Sequence, residues 1–531
     1  MEFLFDCVAQ LKNFQKLNSY AKLKGAVAVT ALNSGFKSNI IGTLCHYNDA
    51  RAFCVAGDEK EAQVICNDLC MMGYKACVYP QRDFNFREVS GISREYEHQR
   101  LKVLTKLLTG ECDIVVGTID ALLQYTIPPE VLKKATLHLK QGQQISTEQC
   151  VEALNLLGYE RTDMVEGTGQ FALRGGILDL FVPDSENPVR VEFWGDEIDS
   201  INHFDILTQR RFDKVDSILL SPSNEILVEN KAELSEKIVK KANLLRSEKT
   251  EKAKETLYRE AENIANGVNL TILDKYISLV YKKPATVLDY VDEEDFIFIS
   301  EHTNISDRVK SMEFQYKEDM KEYFEDGILC RGLDKFSMDY KEFLEIVNTR
   351  HTIFMDNFTS GHFDLPLSDI VSFNVKQVAP WNGSLTVLCE DLNEFFKERT
   401  TVAILAGTEK SGRNLTEELK EKGFKAQFVT DLKKAEQGNI YVMEGALSTG
   451  FELLQTDFHL ITYGQSVQKP KRKVQRKKQG QEIYSLSELN NGDYVVHSTH
   501  GIGIFSGIHN LEVQGVKKDY IKITYAKGDV L

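Results

Sequence analysis

The side chains best suited to chemistry lie at 31–38, where Ala-Leu-Asn-Ser-Gly-Phe-Lys-Ser follows an apolar run that begins at Ala26. Lys37 and Ser38 are the cation and hydroxyl with which a GxxxxGK[ST] loop holds phosphate and magnesium. Ala31 and Phe36 stand where that motif needs glycine. A phosphate cradle needs backbone N–H groups converging on the anion, with some residues at positive φ, and Cβ atoms obstruct both. A non-glycine residue in the left-handed conformation costs about 1–2 kcal/mol, and a phenyl ring at Phe36 would occupy phosphate space. The segment reads either as a non-functional phosphate loop or as a plain strand-to-helix turn, and both readings predict no hydrolysis.

Other chemistries find less support. The ten cysteines include no CxxC pair; Cys45, Cys54, Cys77 and Cys389 sit singly in apolar runs, and Cys66 and Cys70 share a helix with Ala62, Ile65, Leu69 and Met72, which indicates core packing. His497 and His500 flank a turn and read as structural, so no metal site is expected. With 79 acidic and 64 basic side chains the net charge is -15. The bulk surface repels nucleic acid, DNA contact must be local, and a protein is the better expected partner. No stretch approaches the roughly 20 apolar residues of a membrane span, and MEFLFDCVAQLKNF lacks a basic n-region, so a cytoplasmic protein is expected.

The elements that must position these residues alternate strand and helix through residue 128. Strands are predicted at Ala26–Leu32, Ala52–Ala56, Ala76–Tyr79 and Asp113–Thr118, helices at Glu59–Met72 and Arg94–Leu108. Pro128-Pro129 breaks this pattern, a strand-rich segment runs to 212, and a long helical stretch covers 230–282, ended by Gly267. Phe296–Ile299 reads as a return strand to the first sheet. A second α/β unit is expected over 350–465, then a basic linker at 466–482 bearing Lys469, Lys471, Arg472, Lys473, Arg476, Lys477 and Lys478, and a small β-rich module from 483. The linker reads as flexible chain or as a transient contact for phosphate.

One stretch carries a family likeness. YERTDMVEGTGQFALRGGILDLFVPDSENPVRVEFWGDEIDSINHFDILTQRR, residues 159–211, resembles the second domain of the excision-repair protein UvrB and, more closely, the matching domain of the bacterial transcription-repair coupling factors. The terminal module GDYVVHSTHGIGIFSGIHNLEVQGVKKDYIKITYAKGD resembles their Tudor-like domain, shared with CarD-type regulators, which grips the RNA polymerase β subunit. The resemblance implies a multidomain α/β plus β protein. A degenerate UvrB-like (P-loop NTPase-like) α/β domain (1–128 plus 213–349) would carry an inserted UvrA-binding α+β domain (129–212). The second α/β domain (350–465), the linker and a small Tudor/CarD-like barrel (483–531) would follow.

Several roles come with the resemblance. Arg161, Arg174 and Phe181 would face UvrA; the alternatives are pairing of the arginines with Glu160, Asp163 or Glu166, and local burial of Phe181. Leu511, in a turn with Asn510 and Glu512, would anchor the polymerase β subunit, or be core opposite Ile521 or Ile523. Active relatives place Asp-Glu where Ser300-Glu301-His302 stands here, which leaves Glu301 without a metal-binding aspartate. UvrB's tyrosine-rich hairpin has no counterpart between Cys77 and Arg94. No cofactor is implied for this chain; ATP, magnesium and most DNA contact would belong to a translocase motor beyond Leu531, where the family's terminal domain still has a strand to run. The reading is an adaptor in transcription-coupled repair. Its rivals are a divergent UvrB-like ATP-dependent helicase or damage-recognition subunit, and a CarD-type transcription regulator.

Overall fold

Strands buried between helix layers are apolar at every position, and that is how the first four strands read. The computed structural model describes residues 2–84, 86–87, 94–247, 250–267, 273–358, 362–381, 383–397, 400–430, 432, 436–463, 492–497, 501–513 and 516–525. In it β1 (Gly25–Thr30), β2 (Ala52–Ala56), β3 (Ala76–Val78) and β4 (Ile114–Thr118) are parallel neighbours or near neighbours, with every residue of β2 and β4 buried. Alternation sends Val27 and Val29 to one face and Ala26 and Ala28 to the other. Asn33 caps the helix Ser34–Asn48 and Asp58 caps Glu59–Met71, each through a side-chain oxygen that accepts a backbone N–H.

After β4 the chain leaves this sheet. β5 (Leu137–Lys140) is followed by β6 (Glu160–Arg161), β7 (Gln170–Arg174), β8 (Ile177–Leu180), β9 (Val189–Trp194), β10 (Glu197–Phe204), β11 (Arg211–Lys214) and β12 (Ser217–Leu220). β6 to β11 form a six-stranded sheet in sequential order, antiparallel except for the parallel β6–β7 pair, and β12 pairs with β5. One face packs Phe171, Leu178, Leu180, Val189, Val191, Ile198 and Ile201 against the helix Thr147–Leu156, whose start is a capping box of Ser146 and Gln149. The expected end of the insertion at 212 is too early, because β12 returns to β5 at Ser217–Leu220.

The chain then forms a helical hairpin of Lys231–Asn243 and Glu251–Ala265 instead of one long helix. Next, β13 (Phe296–Ser300), β14 (His351–Met355) and β15 (Leu367–Ser372) complete the first sheet in the order β15-β1-β14-β13-β2-β4-β3. Residues 351–372, expected in the second α/β unit, thus belong to the first sheet. The hydrogen bonds of β14 to both β1 and β13 move the boundary past the expected residue 350. β16 (Val375–Val378), β17 (Thr401–Leu405), β18 (Ala426–Phe428), β19 (Ile440–Met443), β20 (Gly450–Leu453) and β21 (Phe458–Thr462) make a mixed sheet ordered β16-β20-β21-β17-β19-β18. One of its faces shares a continuous core with the first sheet's helix layer through Phe36, Phe451 and Leu460.

A separate unit holds β22 (Tyr494–His497), β23 (Gly501–Val513) and β24 (Val516–Thr524), an antiparallel meander. The basic segment 469–478 lies outside the described residues. So does part of 77–94.

Candidate functional site

Two places in the fold collect the residues singled out above. At the end of β1 the chain turns through Ala31, whose φ of 57° is the left-handed conformation that a working phosphate loop gives to glycine. Phe36, expected to obstruct phosphate space, is fully buried instead. Its ring lies edge-on to Phe451 at 5.1 Å and tilted against Phe373 at 5.9 Å, in the core between the two sheets.

Lys37 is 1% exposed, and its ammonium donates to Glu301 Oε1 at 2.6 Å, Ser300 Oγ at 2.9 Å and Glu61 Oε1 at 3.1 Å. All three of its donors are thereby used. Glu61 also accepts from the Gly57 amide at 2.7 Å, and Glu301, itself at φ 50°, from the Asn357 amide at 3.1 Å. Ser38 donates to Asp68 Oδ2 at 3.3 Å, and Asp68 accepts the Ser448 amide at 2.8 Å and hydroxyl at 2.6 Å. Burial pushes the Asp68 carboxyl up to about 6, against the pull of these bonds. A Cβ on Gly35 would lie 1.7 Å from Thr449 Oγ1, so the 448–449 loop is seated on the first turn of the helix that would have faced phosphate. An entering anion would have to separate Lys37 from two carboxylates and lift that loop.

The outer face of the six-stranded sheet is the opposite case. Register places Ala172, Asp179, Arg190 and Asn202 in one row and Arg174, Ile177, Glu192 and Ser200 in the next. Asp179, 1% exposed, accepts from Arg174 Nη2 at 2.7 Å, Arg190 Nε at 2.6 Å and Arg190 Nη2 at 2.8 Å. Arg190 lies over the Phe204 ring at 4.8 Å, and its guanidinium is held further in the charged form by Asp179. Arg174 keeps 52% of its side chain in water. Its partner is Asp179, not Glu160, Asp163 or Glu166, because Asp179 shares its face one row along the adjacent strand. Arg211 Nη1 donates to both oxygens of Glu192 at 2.7 Å.

The three residues expected to face UvrA do not share a face. Phe181 is half-buried beside Val165, Ala172 and Phe204, on the side of Arg174. Arg161 is exposed on the edge strand β6 but aligned with Phe171, a core residue of the other face. Sequence reading also passed over Trp194, 84% exposed at the β9–β10 tip, and Asp179. The Trp194-Gly195-Asp196 turn was a usable signal for the first. The second needed the register of β7, β8 and β9.

In the separate unit, Asn510, Leu511 and Glu512 lie within β23 and not in a turn; they stand opposite Asp519, Lys518 and Lys517 of β24. The expected core partners of Leu511 are placed elsewhere, Ile521 opposite Ile508 and Ile523 opposite Phe505, because the hairpin closes beyond Val513. The side chains of 508–521 lie outside the described residues. Tyr494 and Ile502 are 77% and 69% exposed on β22 and β23. Among the described residues no group of three or more His, Cys, Asp or Glu side chains could hold a metal, and no helix is long and apolar enough to cross a membrane.

These placements coincide with known families. The UvrB interaction domain family matches residues 137–226, covering β5 to β12, and the CarD-like/TRCF RID domain family matches 489–531. A transcription-repair-coupling factor of Bacillus subtilis (strain 168) is 31% identical over 516 residues, 95% of this chain and 44% of that protein. Those of Staphylococcus epidermidis (strain ATCC 35984) and Staphylococcus aureus (strain MRSA252) are 27% and 25% identical over 99% and 100% of this chain, and 45% and 46% of theirs. The chain is similar to transcription-repair-coupling factors along nearly all of its length. It spans a little under half the length of these curated relatives. In family terms, the sheet that bears Arg174 is the UvrB interaction domain, and the β22–β24 meander is the RID domain.

Proposed function

We propose that this chain is the adaptor part of a transcription-coupled DNA repair factor. The outer face of the β6–β11 sheet recruits UvrA through Arg174, Phe181 and, from the adjoining edge, Arg161. The β22–β24 unit, a small Tudor-like barrel in this reading, takes the RNA polymerase β subunit through the segment Asn510-Leu511-Glu512. The first sheet descends from a P-loop NTPase and performs no hydrolysis. It takes no cofactor, and ATP, magnesium and DNA are handled in the part of the relatives' length that this chain does not span. The protein works in the cytoplasm.

The observation that carries the reading is the contrast between a filled phosphate corner and an exposed arginine-bearing sheet inside the matched interaction domain. Capture of purified UvrA and of the polymerase β subunit tests it. Arg174→Ala is expected to weaken only the first capture and Leu511→Arg only the second. Equal capture by wild type and variants would remove the two site assignments, and micromolar affinity for magnesium-ATP in calorimetry would favour the helicase rival.

A further inference from the structure

Trp194 ends β9 before the Gly195-Asp196 turn and leaves 84% of its surface in water. An indole so exposed forgoes the burial that stabilises aromatic side chains, and such residues are the commonest anchors of protein interfaces. Its surroundings are built. Alternation along β9 puts Trp194 on the face of Arg190 and Glu192, and Glu192 stands opposite Ile177. Trp194 is therefore the diagonal neighbour of Ile177, about 7–8 Å away between Cα atoms, within reach of an indole. Ile177 is itself 37% exposed and stands opposite Arg174.

Two cations flank this apolar pair. Arg174 is braced by the buried Asp179 through one terminal nitrogen, and Arg211 by Glu192; both are 52% exposed. A guanidinium carries five N–H donors in a planar fork, so a brace on one side aims the remaining donors outward. Asp179 is a positioning residue for this arrangement, because it fixes Arg174 and Arg190 together.

We infer that Trp194, with Ile177 beside it, is the apolar anchor of this docking face, and that the partner surface is a hydrophobic socket rimmed by carboxylates that reach Arg174 and Arg211. The inference rests on the reading of this face as the UvrA site and adds the residue that supplies most of its affinity. An exposed indole among arginines could also stack on an unpaired base. A base stacked on the indole would carry its phosphate beside Asp196 and Glu197, the latter directly opposite Trp194, whereas a protein socket can place its carboxylates at Arg174 and Arg211 and leave the surface facing this turn uncharged. A protein partner is the better fit.

The chain contains two tryptophans, and Trp381 is half-buried, with its Nε1 donating to Ser384 O at 2.9 Å. Incorporation of 5-fluorotryptophan gives one fluorine resonance for each, assigned with Trp194→Phe. Addition of unlabelled UvrA is expected to shift or broaden the Trp194 resonance and leave that of Trp381 in place. Trp194→Ala is expected to weaken UvrA capture about thirtyfold, the loss typical of a hot spot, with an unchanged melting temperature. Trp194→Phe retains part of the affinity. An unmoved Trp194 resonance within a formed complex, or full capture by Trp194→Ala, would overturn the inference and leave the UvrA reading standing. A Trp194 shift with a single-stranded oligonucleotide but not with UvrA would overturn it in favour of base stacking. Absence of any wild-type complex would sink both.

Discussion

The phosphate corner of the first sheet and the outer face of the inserted sheet use the same materials, buried carboxylates and long cations, to opposite ends. In the corner, Lys37 is enclosed, and its donors are spent on Glu61, Ser300 and Glu301. On the face, Asp179 is enclosed, and of its two arginines Arg174 extends toward water while Arg190, 14% exposed, packs over Phe204. Burying the cation closes a site, whereas burying the anion and leaving one of its cations at the surface displays one. The difference lies in which partner carries the long flexible stem.

The contrast breaks most visibly if the corner is opened. Restoring glycine at both motif positions, Ala31→Gly with Phe36→Gly, is expected to cost about 3–5 kcal/mol in urea unfolding through loss of the Phe36 ring, and still to bind no magnesium-ATP in calorimetry. Nucleotide binding by that variant would show that the lack of the two glycines alone closed the site. Lys37→Met should cost about 3 kcal/mol, the low end for a broken buried pair, because Glu61 and Glu301 keep 21% and 22% of their side chains in water. A neutral result would mean that the two carboxylates do not depend on the lysine.

Smaller effects sharpen the other side. Asp179→Asn removes the brace of two guanidiniums and is expected to cost about 2 kcal/mol of stability and to reduce UvrA capture while Arg174 is intact. A folded variant with undiminished capture would deny Asp179 a positioning role. The smallest effect is one of pH. The Asp68 carboxyl is raised from its ordinary 3.8 to about 6, so the folded state holds this proton more tightly than the unfolded chain. That contribution is complete below the ordinary value and is lost as pH rises through 6. Acidification from pH 7 to 5 should therefore add about 1.4 kcal/mol through this group, and Asp68→Asn should flatten that slope. An identical slope in both proteins would place the titration elsewhere.

Much of the scaffold was legible because parallel strands announce themselves as apolar runs and capped helices as amphipathic stretches. Glu59–Met71 and β1, β2 and β4 fall within a residue or two of expectation. What escaped is long-range. Nothing near Lys37 marks Glu301, 264 residues away, as its partner, and nothing near His351 assigns that strand to one sheet over another. The altered motif was readable at Ala31 and Phe36, but the burial of Phe36 against Phe451 depends on a sheet formed later in the chain. On the inserted sheet the period of two exposes Arg174, while its partner Asp179 emerges only once the β7–β8 hairpin fixes the register.

The order β13-β2-β4 has a further consequence. The chain leaves the first sheet at the C-terminal end of β4 and rejoins it at the N-terminal start of β13, parallel strands that both neighbour β2, so the departure and return lie two interstrand spacings apart across the sheet, roughly 10 Å, and at opposite ends of its strands. Between them the six-stranded sheet and the helical hairpin are inserted, and the chain on either side of them, residues 119–132 and 277–291, packs into the core of the first sheet. The strand order of the first sheet is complete without the inserted sheet, whose own core is separate from that of the body, so the insertion can change in length or shape while the body keeps its register.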